Sequence, residues 1–169
     1  MHPAISVVMP VYNAEKTIAN AIMSIKNQTF EDWELVIIDD GSTDKTLDVA
    51  CKFQDDRIHV TNQHHEGIVS ARNEGCYLAK ASIIVTQDAD DLSLPDRLEK
   101  IRHAMLADMF SVMYHGAYLN MWDSQYHCVS RKYLPAVPFE KNKLLEGQYT
   151  NGWYVFKRNV WQQFPFRME

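Results

Sequence analysis

Ile5-Ser6-Val7-Val8-Met9-Pro10-Val11 is an apolar, β-branched run without strict polar alternation, the pattern of a strand covered on both faces. From Ala14 onward, Ile18, Ala21, Ile22 and Ile25 recur at helical spacing, which predicts an amphipathic helix ending near Asn27. The unit then repeats. Leu35 to Ile38 reads as a second buried strand, Gly41-Ser42-Thr43-Asp44 supplies turn and N-cap chemistry, and Leu47, Ala50 and Phe53 begin a second helix. Ile58 to Thr61 is a weaker third strand, and Gly67 opens a helix through Ile68, Ala71, Gly75, Leu78 and Ala79. Ser82 to Thr86 is a fourth strand. Leu94-Pro95-Asp96 starts a further helix, with proline in its first turn and Leu98, Ile101 and Met105 as its buried stripe. Such alternation predicts an α/β fold: a mainly parallel central sheet flanked by helices and joined by right-handed crossovers.

Beyond about residue 107 the rhythm changes. Val112 to Leu119 and Tyr126 to Ser130 read as strands joined by a turn near Asp123-Ser124, a partly antiparallel C-terminal extension. Leu134 to Pro138 is a loop, because each proline biases the residue before it away from the helical region. Trp153 to Phe156 and Arg158 to Phe164 read as a last strand and a short helix. No linker divides the chain, so 1–169 is read as one domain.

With 169 residues and 46% hydrophobic content there is enough chain for one core. The net charge of −5, with Lys and Arg scattered, offers no stripe for a nucleic-acid backbone. No apolar run approaches the roughly 18 residues of a membrane span, and the N-terminus lacks a signal pattern, so the expectation is a cytoplasmic protein with at most peripheral contact with the membrane's inner face. Cys51, Cys76 and Cys128 fit neither a disulfide framework nor a zinc site and read as reduced core or boundary residues.

In an open parallel sheet, ligands bind beyond the carboxyl ends of the strands. Three clusters fall there: Pro10-Val11-Tyr12-Asn13, Asp39-Asp40-Gly41-Ser42 and Asp88-Ala89-Asp90-Asp91. Three carboxylates within the last four residues repel one another and gain nothing from a core; a hard divalent cation, Mg²⁺ or Mn²⁺, would resolve the conflict. The alternative is a solvated acidic turn in which Asp91 caps the next helix. Of Asp39 and Asp40, one can turn inward to hold its loop while the other faces the crevice and accepts from a base imide N–H, against a plain Asx turn into Gly41. Tyr12 offers a ring for a base to stack on, or merely packs. Arg72, early in its helix, can pair with a diphosphate or form a salt bridge with Glu74 or a nearby aspartate. His64-His65-Glu66 is read as a loop, because consecutive side chains rarely converge on one ion.

Taken in order, these segments resemble family 2 glycosyltransferases of the GT-A type, the nucleotide-diphospho-sugar transferase fold. The resemblance rests on Ser6 to Asn13, Ser24 to Phe30, Ile37 to Asp44, Gly67 to Asn73 and Asp88 to Pro95. It implies that 1–107 is a nucleotide-sugar-binding part and 108–169 an incomplete acceptor-side part. It implies a donor site of Pro10, Tyr12, Asn13, Asp40, Arg72 and Asp88, with Tyr12 stacked on the base and Asp40 on its imide. It further implies that Asp88 and Asp90 form a DxD motif, with Asp90 the direct ligand of Mn²⁺ or Mg²⁺. The donor it implies is a nucleotide-diphospho-sugar, UDP-sugar above all. The acceptor it implies is a glycan or lipid-linked glycan, transfer proceeds with inversion, and the setting is cell-surface polysaccharide synthesis.

One departure stands out. Phe156 to Asn159 and Phe164 to Glu169 resemble the stretch just before the family's acidic base motif, and neither Glu146 nor Glu169 matches that motif. The catalytic base is therefore unassigned and truncation is expected, with a nucleotide-sugar-binding remnant lacking transfer as the alternative. A phosphorylation-receiver module, which also carries paired aspartates at a strand end, expects them after its first strand rather than its second.

Overall fold

The computed structural model describes residues 2–53, 55–107, 113–115 and 154–167. Its strands are β1 (Ile5–Val11), β2 (Trp33–Asp39), β3 (Ile58–Asn62), β4 (Ile83–Thr86), β5 (Met113–His115) and β6 (Tyr154–Lys157). Its helices are α1 (Ile18–Lys26), α2 (Thr46–Ala50), α3 (Ile68–Leu78), α4 (Arg97–Ala107) and α5 (Arg158–Gln163). The strands form one sheet in the order β3-β2-β1-β4-β6-β5. β1 to β4 run parallel, whereas β6 is antiparallel to both β4 and β5. A mainly parallel sheet with an antiparallel C-terminal extension is what the sequence predicts. The receiver alternative has a different strand order, 2-1-3-4-5, and does not fit.

Period-two geometry sorts the strand side chains onto two faces. Ile5, Val7, Met9, Leu35, Ile37 and Val85 share one core with Ile18, Ala21, Ile22 and Ile25 of α1 and with Leu98 and Met105 of α4. On the other face Val8 and Ile84 meet Cys76 and Ala79, and Val36 and Ile38 meet Ala71. The chain steps from β1 to β2 and β3 in one direction, then jumps back across β1 to β4. Crossovers of one hand therefore put α3 on the face opposite α1. The reversal lies between β1 and β4, and the site opens there.

α3 approaches the sheet closely because Gly75 has no side chain. A Cβ added at Gly75 would collide with Cγ1 of Val8 and lie 3.3 Å from Cγ1 of Ile38. Both valine and isoleucine are stiff at this branch point and fully buried. Gly75→Ala is therefore expected to destabilise the protein by about 2 kcal/mol, overpacking outweighing the gain in helix propensity. A melting temperature equal to or above wild type would contradict this close packing.

Some local expectations change. α2 stops at Ala50, short of Phe53; Lys45 stands at its N-cap position without a side-chain cap bond, and Asp44 supplies the capping chemistry instead, its Oδ1 accepting from the Thr46 N–H at 2.9 Å. α4 opens only at Arg97, so Pro95 lies in the preceding turn and Asp91 does not cap the helix. That start is held instead by buried Gln28, whose Oε1 accepts from the Leu98 N–H at 2.9 Å and whose Nε2 donates to the Leu94 carbonyl at 2.7 Å. Cys76 is buried, its thiol pushed up to about 12 by burial, but Cys51 is exposed. The strand at Tyr126 to Ser130, the loop at Leu134 to Pro138, Cys128, Trp153, Glu146 and Glu169 lie outside the described residues.

Candidate functional site

The register sets the carboxyl ends of three strands side by side. Val11 of β1 pairs with Asp39 of β2, the Asp40 N–H donates to the Val11 carbonyl at 2.8 Å, and the Gln87 N–H donates to the Val8 carbonyl at 2.9 Å. The segments leaving β1, β2 and β4 thus surround one cleft of about 780 Å³. Pro10, Tyr12, Asn13, Asp40, Asp88 and Asp90 line it, as do Asp44 and His65.

Asn13 sits at the turn after β1 with φ +50°, a region asparagine tolerates better than most side chains. Its Oδ1 accepts from the Thr43 N–H at 2.8 Å, and its own N–H donates to Ser42 Oγ at 2.9 Å. The next residues continue the clasp: the Ala14 N–H donates to Thr46 Oγ1 at 2.7 Å and the Glu15 N–H to Asp44 Oδ2 at 3.1 Å. Asn13 therefore fixes the first loop against the second, and Tyr12, 45% exposed, projects into the cleft mouth.

The paired aspartates divide their work. Asp39 turns to its own loop, accepting from Ser42 Oγ at 2.5 Å and from the Ser42 N–H at 3.2 Å. Asp40, only 2% exposed, is the hub of the loop after β3. Its Oδ1 accepts from Gln63 Nε2 at 2.7 Å and the Glu66 N–H at 3.0 Å; its Oδ2 accepts from the Gly67 N–H at 2.9 Å. His65 Nδ1 lies 2.8 Å from Oδ2 and 3.0 Å from the Asp40 carbonyl oxygen. Both neighbours of that nitrogen are acceptors, so Nδ1 carries the hydrogen. Burial raises the Asp40 carboxyl, but the bonds from the Glu66 N–H, Gln63 and the Gly67 N–H, with His65 beside them, outweigh it and hold the group below the usual carboxylate range.

The acidic cluster follows β4. Ala89 is buried and anchors the turn in the main core, while Asp88 and Asp90 on either side of it reach the cleft. Burial pushes the Asp88 carboxyl up; Arg72 pulls against this and the charge of Asp90 adds to the rise. Arg72 donates to Asp88 Oδ1 at 3.1 Å from a side chain only 12% exposed, which is the salt-bridge geometry rather than an open arm; its Nε is buried without a hydrogen-bond partner among the described residues. Its guanidinium carbon also lies 5.6 Å from the Phe166 ring centroid.

Arg97 holds this turn from below. It donates to Gln87 Oε1 at 2.5 Å, Ser93 Oγ at 2.8 Å and the Thr86 carbonyl at 3.0 Å, and Gln87 in turn donates to the Asp91 carbonyl at 2.8 Å. The residue is partly exposed as a whole, but its guanidinium is enclosed. Burial pulls it down to about 10 against the attraction of Asp91 and Asp88.

Two mutually repelling carboxylates at the wall of an open cleft suit a hard divalent cation that completes its shell with phosphate oxygens and water. Among the described residues no group of three or more His, Cys, Asp or Glu is placed to hold a metal ion. His65 and Arg97 escape the sequence reading. Trp161 is part of the packing: its Nε1 donates to Asn73 Oδ1 at 2.9 Å beside Phe156 and Cys76.

The model of the family described as Glycosyl transferase family 2 matches residues 6–155. The chain is 39% identical over 111 residues to the UDP-Glc:alpha-D-GlcNAc-diphosphoundecaprenol beta-1,3-glucosyltransferase WfgD of Escherichia coli, covering 65% of this chain and 44% of that protein. It is 41% identical over 102 residues to the putative glycosyltransferase EpsE of Bacillus subtilis, covering 58% of this chain and 37% of that protein. The chain thus spans less than half the length of these curated relatives. Among solved structures, S. aureus TarS 1-349 matches with TM-score 0.70 and 24% identity over 96% of this chain and 49% of that one. The mannosyltransferase PcManGT of Pyrobaculum calidifontis, in complex with GDP-Man and Mn²⁺, matches with TM-score 0.69 and 20% identity over 99% of this chain and 48% of that one. Likeness at these identities carries the fold.

Proposed function

The chain belongs to glycosyl transferase family 2, and on that premise we propose that its cleft binds the UDP part of a sugar donor together with Mn²⁺ or Mg²⁺. The fold is of the GT-A type. The carrying observation is the meeting in one cleft of an exposed aromatic ring, Tyr12, a buried acceptor, Asp40, and a carboxylate pair, Asp88 and Asp90.

In this reading Tyr12 stacks on the base and Asp40 accepts its imide N–H. A buried carboxylate favours a base with a ring N–H at that edge, as in uracil, over cytosine, whose corresponding nitrogen is an acceptor. Pro10 and Asn13 shape the wall beside the nucleoside. Arg72 neutralises Asp88 and orients it, so that Asp90 makes the direct metal contact. The cation, when bound, offsets the charge that the diphosphate gains as its bond to the anomeric carbon breaks. An acceptor hydroxyl attacking the face opposite the diphosphate gives inversion, and no described carboxylate is assigned as its base. The relatives named for undecaprenol-linked and teichuronic acid synthesis support a lipid-linked or cell-surface glycan as acceptor. The TarS structures with UDP and UDP-GlcNAc support the choice of nucleotide. No described helix is long and apolar enough to cross a membrane.

Calorimetric titration of the chain with UDP, with and without Mn²⁺, tests the reading. Binding strengthened by Mn²⁺ is expected, with CDP at least about tenfold weaker because its ring nitrogen faces Asp40 unpaired. Absence of UDP binding in the presence of Mn²⁺ would sink the proposal.

A further inference from the structure

His65 occupies the position that the proposed function gives to the nucleobase. Its ring stacks on Tyr12 with centroids 4.2 Å apart and planes inclined by 25°. Its Nδ1 lies 2.8 Å from Asp40 Oδ2. An aromatic face on Tyr12 and a ring N–H presented to Asp40 are the two contacts assigned above to the base, and one side chain makes both. From this coincidence we propose that His65 is a built-in surrogate of the nucleobase, which plugs the base subsite and is displaced when a uridine nucleotide binds. The inference rests on the donor-site reading and adds its regulation.

Space and acceptor capacity both make the two occupants exclusive. A centroid separation of 4.2 Å leaves no room for a second ring between Tyr12 and His65; a base sandwiched there needs about 7 Å, twice a normal stacking gap. A carboxylate has about four lone-pair sites, and Asp40 already meets Gln63, the Glu66 N–H, the Gly67 N–H and His65. Of these four, His65 is the one free to leave. Its side chain is 55% exposed, so the ring can rotate into solvent. The backbone beneath it stays pinned by the Glu66 and Gly67 amides, and Gly41 packs against it: a Cβ there would lie 2.9 Å from the His65 nitrogen. Departure of the ring returns an acceptor site on Oδ2 and uncovers the Tyr12 face without moving the loop.

A ligand that must first displace a resident group binds with its intrinsic affinity reduced by the fraction of open sites. Removing the plug therefore tightens binding. In titrations of the full chain with UDP and Mn²⁺, His65→Ala is expected to bind UDP about fivefold more tightly than wild type. His65→Phe keeps a ring on Tyr12 but cannot donate to Asp40, and is expected to fall between the two. Independently of any substitution, the His65 Cε1–H resonance of the wild-type chain should be shifted by the Tyr12 ring current and move to its solvent position on saturation with UDP. Wild type that binds UDP while His65→Ala binds it equally or more weakly would overturn the plug and leave the donor site standing. A His65 resonance unmoved by saturating UDP would do the same. If neither protein binds UDP, the donor-site reading falls and the plug with it.

Discussion

Asp90→Asn is expected to abolish the Mn²⁺-dependent gain in UDP affinity while leaving the melting temperature within about 2 °C of wild type. The two halves of that result have separate causes. Asp90 is exposed at the cleft wall, so the fold does not depend on its charge. Its charge also raises the neighbouring Asp88 carboxyl, so neutralising it relieves a repulsion. The metal is a different matter, because Asp90 is the direct protein ligand proposed for it, the charge of Asp88 being taken up by Arg72. Losing it removes that contact, and where the chain supports transfer the rate should drop by about 10²–10³, the scale of losing one electrostatic contact to a developing anion. Asp88→Asn is expected to differ. It removes the negative charge beside Arg72, whose guanidinium bonds Asp88 at 3.1 Å, and leaves that mostly enclosed cation without this counter-charge, so it should lose stability as well as affinity. UDP binding by Asp90→Asn that still strengthens with Mn²⁺ would remove Asp90 from the metal site.

What could be read from the sequence follows from which forces act locally. Strand and helix identity is carried by periodicity, so Ile5 to Val11 and the stripe Ile18, Ala21, Ile22, Ile25 were legible, as was the parallel sheet their repetition demands. Asp88 and Asp90 were legible as a site because carboxylates placed after an apolar strand repel each other without compensation. His65 was not, since its meaning depends on Tyr12 and Asp40, distant in sequence and joined to it only by the register of β1, β2 and β3. Read locally, it was one polar residue in a loop. Asp40 was legible as a strand-end acceptor but not as the hub of the loop after β3. Its partners there include the backbone N–H groups of Glu66 and Gly67, which every residue type but proline supplies, so no sequence pattern marks them. Arg97 was hidden for a similar reason: the apolar stripe of α4 tells which face is buried, not that a cation at its first residue reaches back under the preceding turn.

That buried cation gives the largest expected loss of stability. Arg97→Met keeps much of the side-chain volume and removes every donor. The Thr86 carbonyl then loses the Arg97 N–H that now reaches it, Gln87 Oε1 loses the guanidinium and keeps the Ser93 hydroxyl, and Asp88 and Asp91 lose the cation that attracts them. Each forfeited buried bond to a charged donor costs about 1–3 kcal/mol, and removing one partner of a buried charge network about 3–5 kcal/mol. A loss near 4 kcal/mol in denaturant midpoint analysis is therefore expected. Lysine is not a substitute, because its single ammonium cannot reproduce the fork that reaches Gln87, Ser93 and Thr86 together, and Arg97→Lys should recover less than half the loss. The functional consequence separates Arg97 from the metal ligands. Because the turn it supports carries Asp88 and Asp90, the Mn²⁺-dependent part of UDP binding should weaken with the stability, yet saturating Mn²⁺ should restore it in the fraction that remains folded. In Asp90→Asn no concentration of Mn²⁺ should do so. Arg97→Met with wild-type stability would mean that the turn is held by its main-chain bonds and Ala89 packing alone, and that the guanidinium beneath it is incidental.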